Sequence, residues 1–298
     1  MHHEWLGLIA SGVWACTMIM ATTPSGYLGS AAFNRWRMIC ACIILFTASA
    51  LTGGFKGFAV QWAGSLILSG LVGLGLGDLA LYASLNRLGP RLAQLLFATN
   101  AFFAVIFDLI FFNGVITLKR GLGMILICTG IFLALYYSQE KNRKSEISSG
   151  SLTIFAAVLC GLFASICQAG GQALAKPVLD QGANPVASSA VRMLTALLWH
   201  CSLLLLIPSR TKPLHKINRQ VFLMVFINAF LALGVGMTCV LTAVKNGSLG
   251  LAAVFSSCAP VLLLPLLWLR TGEKPKMSSW ISSLTVLLGT TLIFLEKM

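Results

Sequence analysis

Long apolar blocks alternate with short polar, glycine- or proline-bearing breaks along this chain. Ten blocks can be drawn, at 5–22, 32–51, 62–85, 91–112, 119–137, 152–174, 185–207, 220–244, 250–269 and 279–295. Each is near the roughly 20 apolar residues an α-helix needs to cross the hydrocarbon layer. None alternates apolar and polar positions as the strands of a membrane barrel do. In lipid the backbone groups must find partners within the segment, so every block is expected to be a helix. The breaks are built from helix-interrupting residues: Thr23-Pro24-Ser25-Gly26, Thr52-Gly53-Gly54, Leu88-Gly89-Pro90, 181–185 and 208–213. The longest polar stretch, 138–151, carries Glu140, Lys141, Arg143, Lys144 and Glu146 almost at the midpoint. It divides the chain into a first unit at 1–140, a linker at 141–151 and a second unit at 152–298.

The two units repeat one another. Gly12-Val13-Trp14-Ala15 aligns with Gly161-Leu162-Phe163-Ala164 at an offset of 149, and Arg37-Met38 with Arg192-Met193 at 155. Gly75-Leu76-Gly77 aligns with Gly234-Val235-Gly236 at 159, an offset kept by Leu92-Ala93 with Leu251-Ala252 and by Gly130 with Gly289. The offset changes only across loops, as a duplication requires. Five spans per unit is an odd number, so the second unit enters the membrane from the opposite side. The expected fold is therefore an all-α membrane protein of ten transmembrane helices in two inverted five-helix repeats. Such repeats place a site near the midplane and provide for alternating access.

Composition agrees with that architecture. Apolar residues make up 57% of the 298 positions and charged residues only 10%, against about 25% in a soluble domain. Mean hydropathy is +0.88. So few charges cannot cover a soluble surface, which excludes a cytosolic enzyme and a disordered chain. The net charge of +13 comes from cations lying singly or in small groups between the blocks, with no basic stripe for nucleic acid. Counting Lys and Arg by predicted face gives fourteen on the side holding Arg35, Arg91, Lys141 and Arg270, and six on the other. The positive-inside rule then puts both termini outside. Met1-His2-His3-Glu4 lacks the positive start of a secretory signal, so the first block is expected to remain as a span. All nine cysteines fall inside apolar blocks and none forms C-x-x-C, so neither a disulfide framework nor a zinc site is indicated.

Taken together, the duplication, Trp14 and Phe163 in small-residue settings, and Arg37 and Arg192 early in the second span of each unit resemble the EamA-type family of the drug/metabolite transporter superfamily. Gly77-Asp78-Leu79-Ala80-Leu81-Tyr82 and Leu269-Arg270-Thr271-Gly272-Glu273 add to the likeness. Before the fifth span the corresponding place reads Asn113-Gly114-Val115, without an acidic residue. The resemblance implies a secondary carrier of small metabolites in a multi-pass bacterial cytoplasmic membrane, monomeric or homodimeric. A coupled proton or counter-solute is an expected companion; no cofactor and no nucleic acid is. Relatives are often drawn with both termini cytoplasmic, against the charge count.

Ionisable groups inside spans are costly, roughly 2.5–3.5 kcal/mol each on insertion scales, and so invite a functional reading. Four stand out: Arg37, Asp78, Asp108 and Arg192. By helical rise Arg37 and Asp78 lie roughly 9–10 Å in from one face, and Arg192 and Asp108 sit toward the other. One acid–base pair near each mouth is expected, as gate or site groups. Trp14, Tyr82, Asn100, Gln168, Gln172 and Asn228 are candidates to line a cavity, with Gln168 and Gln172 on one helix face. His200 is a candidate proton carrier. Against each stands packing or helix–helix hydrogen bonding. Gly73-Leu74-Gly75-Leu76-Gly77 lacks dinucleotide spacing and reads as close helix packing; no ATP-binding or hydrolase motif is present. Two rivals remain: a lipid-acting intramembrane enzyme using Asp78 or His200 as base, for which no nucleophile or metal cluster is visible, and a non-transporting subunit or sensor.

Overall fold

The computed structural model describes residues 6–111, 117–142, 153–246 and 258–294, and no strand occurs among them. The first half contains α1 (Leu6–Leu28), α2 (Ser30–Leu51) and α3 (Trp62–Gly70), the last running through a π-helical segment (Leu71–Leu76) into α4 (Gly77–Phe97). It continues with α5 (Asn100–Phe111) and α6 (Leu118–Asn142). The second half contains α7 (Ile154–Asp180), α8 (Pro185–Leu206), the short α9 (Pro208–Thr211) and α10 (Arg219–Asn228). A second π-helical segment (Ala229–Gly236) leads into α11 (Met237–Asn246), followed by α12 (Ala259–Thr271) and α13 (Met277–Phe294). Residues 250–257 of the ninth apolar block, the Asn113-Gly114-Val115 stretch and most of the linker lie outside the described residues.

Seven helical stretches among the described residues are long and apolar enough to cross a bilayer, and α12 and α13 are shorter apolar helices. One stretch, Trp62–Phe111, has 50 residues. At 1.5 Å per residue that is roughly 75 Å, more than twice the hydrocarbon thickness. It turns at Gly89, whose φ of 78° and ψ of 170° are open to glycine, and Pro90 begins the next run with no N–H to give. The pattern of burial is that of a protein in lipid. Leu205, Phe155 and Phe132 are 82%, 73% and 66% exposed, while Arg37, Asp78, Arg192, Gln94, His200 and Asn228 are buried. The chain is an integral, multi-pass, all-helical membrane protein.

Both π-helical segments fall at the same place in the repeat: Leu71–Leu76 shifted by 159 is 230–235, inside Ala229–Gly236. The first helix of each half packs against the π-interrupted helix of the other, α7 against α3, the first π-segment and α4, and α1 against α10, the second π-segment and α11. Ser69, just before the first π-segment, donates from Oγ to the Gly171 carbonyl at 2.5 Å. Its equivalent at the 159 offset, Asn228, donates from Nδ2 to the Thr17 carbonyl at 2.8 Å.

Equivalent helices meet antiparallel. Arg35 at the start of α2 donates to the Thr211 carbonyl beyond α8 at 3.3 Å, while the end of α2 faces Asn184, which caps α8 by accepting from Val186 N at 2.8 Å. Along α6 and α13, a Cβ on Gly123 would stand 2.5 Å from the Gly289 carbonyl, and one on Gly130 would stand 2.9 Å from that of Ser282. The offset maps Gly130 to Gly289 and Gly123 to Ser282, so it exchanges these two contacts, as a twofold axis between α6 and α13 requires.

Segment ends gather into two groups. At one end Leu214 N donates to Leu28 O at 3.1 Å, Asn86 Nδ2 to Ser25 O at 3.2 Å and Arg270 Nη1 to Ile19 O at 2.6 Å. At the other, Trp62 Nε1 donates to Gln181 Oε1 at 2.7 Å and Lys245 Nζ to Gly182 O at 2.9 Å. These are the two faces between which the cations were divided.

Candidate functional site

The buried polar groups centre on Arg37. One side of α2 carries Asn34, Arg37, Met38, Ala41 and Leu45, all buried at three- and four-residue spacing, so the guanidinium points into the bundle. Its Nη2 donates to Asp78 Oδ2 and its Nη1 to the Tyr82 hydroxyl. A third, longer contact runs from Nη1 to Asn228 Oδ1 at 3.4 Å. Asp78 and Tyr82 are four apart on α4 and therefore share a face. The guanidinium carbon also stands over the rings of Tyr82 at 4.6 Å and Phe33 at 5.7 Å. Arg37 is thus clamped by the first half through Asp78 and Tyr82 and by the second through Asn228.

Beside this cluster lies a cavity of about 40 Å³, walled by both halves. Water needs about 10–15 Å³ on the same measure, so the space holds a few waters or one small polar group. Arg37, Asp78 and Tyr82 form one wall, and Gln94 of α4 and Gln168 of α7 add amides. Trp14, Phe97, Leu81 and Leu233 supply the apolar side. Trp14 meets Phe97 edge to face at 6.4 Å and donates from Nε1 to the Ala232 carbonyl at 3.1 Å. That carbonyl belongs to the second π-segment and also accepts from the Met237 N–H. Gly236 makes the approach feasible, since a Cβ there would stand 2.7 Å from Trp14 Nε1.

Arg192 has a different environment. It is wholly buried, and its Nη1 lies 3.6 Å from Met237 Sδ. Nε and Nη2 have no hydrogen-bond partner. Gly73 of the first π-segment leaves room for it, because a Cβ there would stand 3.2 Å from Nη2. Asp78 lies within electrostatic reach of both Arg192 and Arg37.

Of the residues singled out from sequence, Arg37, Asp78, Tyr82, Trp14 and Gln168 come together on the cavity, with Asn228 joined to Arg37. The Arg37–Asp78 ion pair forms. Arg192 abuts Met237, which lines the cavity, while the side chain of Asp108 lies outside the described residues. Three candidates sit elsewhere. Asn100 opens α5 and donates from Nδ2 to the Phe97 carbonyl at 3.0 Å, a local contact at the break between helices. Gln172 is buried one turn beyond Gln168, away from the cavity lining. His200 is enclosed on α8 with both ring nitrogens unpartnered. Sequence reasoning passed over Gln94, an amide within an apolar run, and Met237, although the repeat offset pairs Met237 with Asp78.

A sequence model of the EamA-like transporter family matches residues 3–136 and again residues 155–295. No curated protein matches the chain. A solved structure described only as the crystal structure of a protein superposes with a TM-score of 0.71 at 14% identity, covering 99% of this chain and 96% of the other. At that identity the likeness speaks for the fold.

Proposed function

Because the chain belongs to the EamA-like transporter family, we propose that it is a ten-span secondary carrier that moves a small metabolite by alternating access between two inverted five-helix repeats. The observation that carries this reading is the cavity walled by both halves, with Arg37, Asp78 and Tyr82 on one side, beside the equivalent π-segments. Local departures of this kind in a helix recur at functional sites, where a shift of register allows bending. The ten-span count is supported by the break at Gly89–Pro90, which divides the 50-residue stretch, and by α10 running through the second π-segment into α11 as one span. Antiparallel packing of α2 on α8 and α6 on α13 supports the inverted relation. In this reading, Arg37, Asp78, Tyr82 and Gln168 bind or gate the solute. Asp78, which lines the cavity, carries any coupled proton in preference to His200, which does not line it.

The test is counterflow in proteoliposomes with a labelled metabolite panel, and net uptake under an imposed pH gradient with and without a protonophore. Wild-type protein exchanges at least one solute, and correctly inserted Asp78→Asn loses roughly tenfold or more of that exchange, the weight of a charge-assisted hydrogen bond. Undiminished exchange by Asp78→Asn would remove Asp78 from the site. Consumption of solute instead of exchange would point to an enzyme, and neither to a scaffold. Net uptake driven by an imposed pH gradient and lost with the protonophore would identify the proton; no uptake under that gradient would remove it.

A further inference from the structure

In the residues that line the cavity, and in Arg192 beside it, the buried side-chain atoms without partners are all donors: Arg37 Nε, Arg192 Nε, Arg192 Nη2 and Gln168 Nε2. A guanidinium nitrogen cannot accept, so these groups call for an acceptor, and none of the described residues supplies one to them. Charge is out of balance in the same sense: among the described residues, the buried Arg37 and Arg192 share one carboxylate, Asp78.

The repeat shows where the missing charge belongs. Arg37 and Arg192 are equivalent, and so, at the 159 offset, are Asp78 and Met237. In the first half the arginine meets a carboxylate; in the second it meets the thioether of Met237 at 3.6 Å. Met237 also lines the cavity. A methionine side chain is unbranched and easily re-rotated, so swinging it aside opens Arg192 to the cavity. Resting on the carrier reading above, we propose that the cavity takes a small organic monoanion whose carboxylate completes Arg192 at the position where Met237 replaces an acidic residue, with its apolar body against Trp14 and Phe97. Asp78 remains engaged with Arg37, so the net charge left to neutralise is one.

Binding to purified protein tests this apart from transport. In buffer free of carboxylates, melting temperature and Trp fluorescence are followed against formate, isobutyrate and benzoate, with benzylamine, benzyl alcohol, chloride and phosphate alongside. Saturable binding of at least one carboxylate is expected, tighter for isobutyrate or benzoate than for formate, and none of the amine or alcohol. Met237→Glu, which brings its own carboxylate to Arg192, weakens that binding at least ~10-fold, the lower bound for a hydrogen bond between charged partners. Met237→Gln, of similar size but uncharged, weakens it less than Met237→Glu does. Arg192→Gln weakens binding as Met237→Glu does. The proposal is overturned if no carboxylate saturates by tens of millimolar, if only chloride or phosphate binds, if amine or alcohol binds as well, or if the Glu and Gln variants behave alike. Carboxylate binding without counterflow of any solute would sink the carrier reading and keep the anion site. Counterflow of cationic or neutral solutes alone would do the reverse.

Discussion

Removing the charge of Asp78 is the sharpest perturbation of the buried cluster. Asp78→Asn preserves size but leaves Arg37 and Arg192, 2% and 0% exposed, with no anion between them. Breaking one partner of a buried pair costs about 3–5 kcal/mol, because the remaining charge stays buried. Arg37→Met is gentler, since Asp78 retains the field of Arg192. It should fall at the lower end of that range. The double variant Arg37→Met/Asp78→Leu removes the pair altogether, and exchanging such pairs for apolar groups is often neutral. It still strands the Tyr82 hydroxyl and Asn228 Oδ1, both partners of Arg37. At about 1 kcal/mol each these cost roughly 2 kcal/mol, and Arg192 also loses its anion, so the double variant should lie at least that far below wild type, yet above Asp78→Asn, which strands two cations. With about 2–4 °C per kcal/mol for chains of 150–250 residues, Asp78→Asn should melt roughly 6–20 °C lower. Thermal unfolding of the four purified proteins in one detergent measures the order. Asp78→Asn melting with wild type, or Arg37→Met proving the more damaging single change, would refute the account of two cations held by one carboxylate.

Two further predictions concern the frame and its orientation. Gly289→Ala would bring a Cβ within 2.6 Å of the Gly123 carbonyl and 2.9 Å of Ile127 N, both backbone, so it should destabilise by about 1–3 kcal/mol. Gly121→Ala, on α6 with nothing within 4 Å of its Cβ, should melt with wild type or slightly above; equal melting of the two variants would show that the seam does not depend on that approach. By the positive-inside rule the excess of fourteen cations over six predicts an outside C-terminus, so a C-terminal alkaline phosphatase fusion should be active, and a lit cytoplasm-only fluorophore at that position would reverse the prediction.

Much of the frame was legible because lipid leaves the backbone few choices. Apolar blocks of spanning length must be helices, and Gly89-Pro90 carries its own reason to end one. The repeat could be read from Gly75-Leu76-Gly77 and Gly234-Val235-Gly236, which prove to lie in or beside the two π-segments. The π geometry itself was not legible. It depends on contacts from the opposite half, such as Trp14 against Gly236 and Gly171 against Gly73, which no local pattern encodes. Arg37 and Asp78 were paired correctly because both had depth and opposite charge, quantities that counting from span ends provides. Gln172 and Gln168 shared a face as expected, yet only Gln168 reaches the cavity, because helix periodicity fixes direction and not the position along the axis where the neighbouring helices part.

The same distinction explains why Met237 escaped notice while carrying information. Searching for polar residues in spans finds Arg192 and looks for an acid to match it; an apolar residue in the acid's place is invisible to that search. Alignment of the two halves makes the absence visible, because Asp78 marks the position that Met237 fills. A duplicated frame can hold its helices by exchanged contacts, as Gly123–Gly289 and Gly130–Ser282 do, while its buried charges need not be duplicated. Packing along the α6–α13 seam is served by small residues in both copies. The chemistry at the centre is not: among the described residues, one arginine is answered by a carboxylate and the other faces a thioether beside a cavity. Where a symmetric frame leaves a buried cation unmatched, the desolvation of that charge must be offset by something the frame admits, and the departure from symmetry becomes the mark of the ligand.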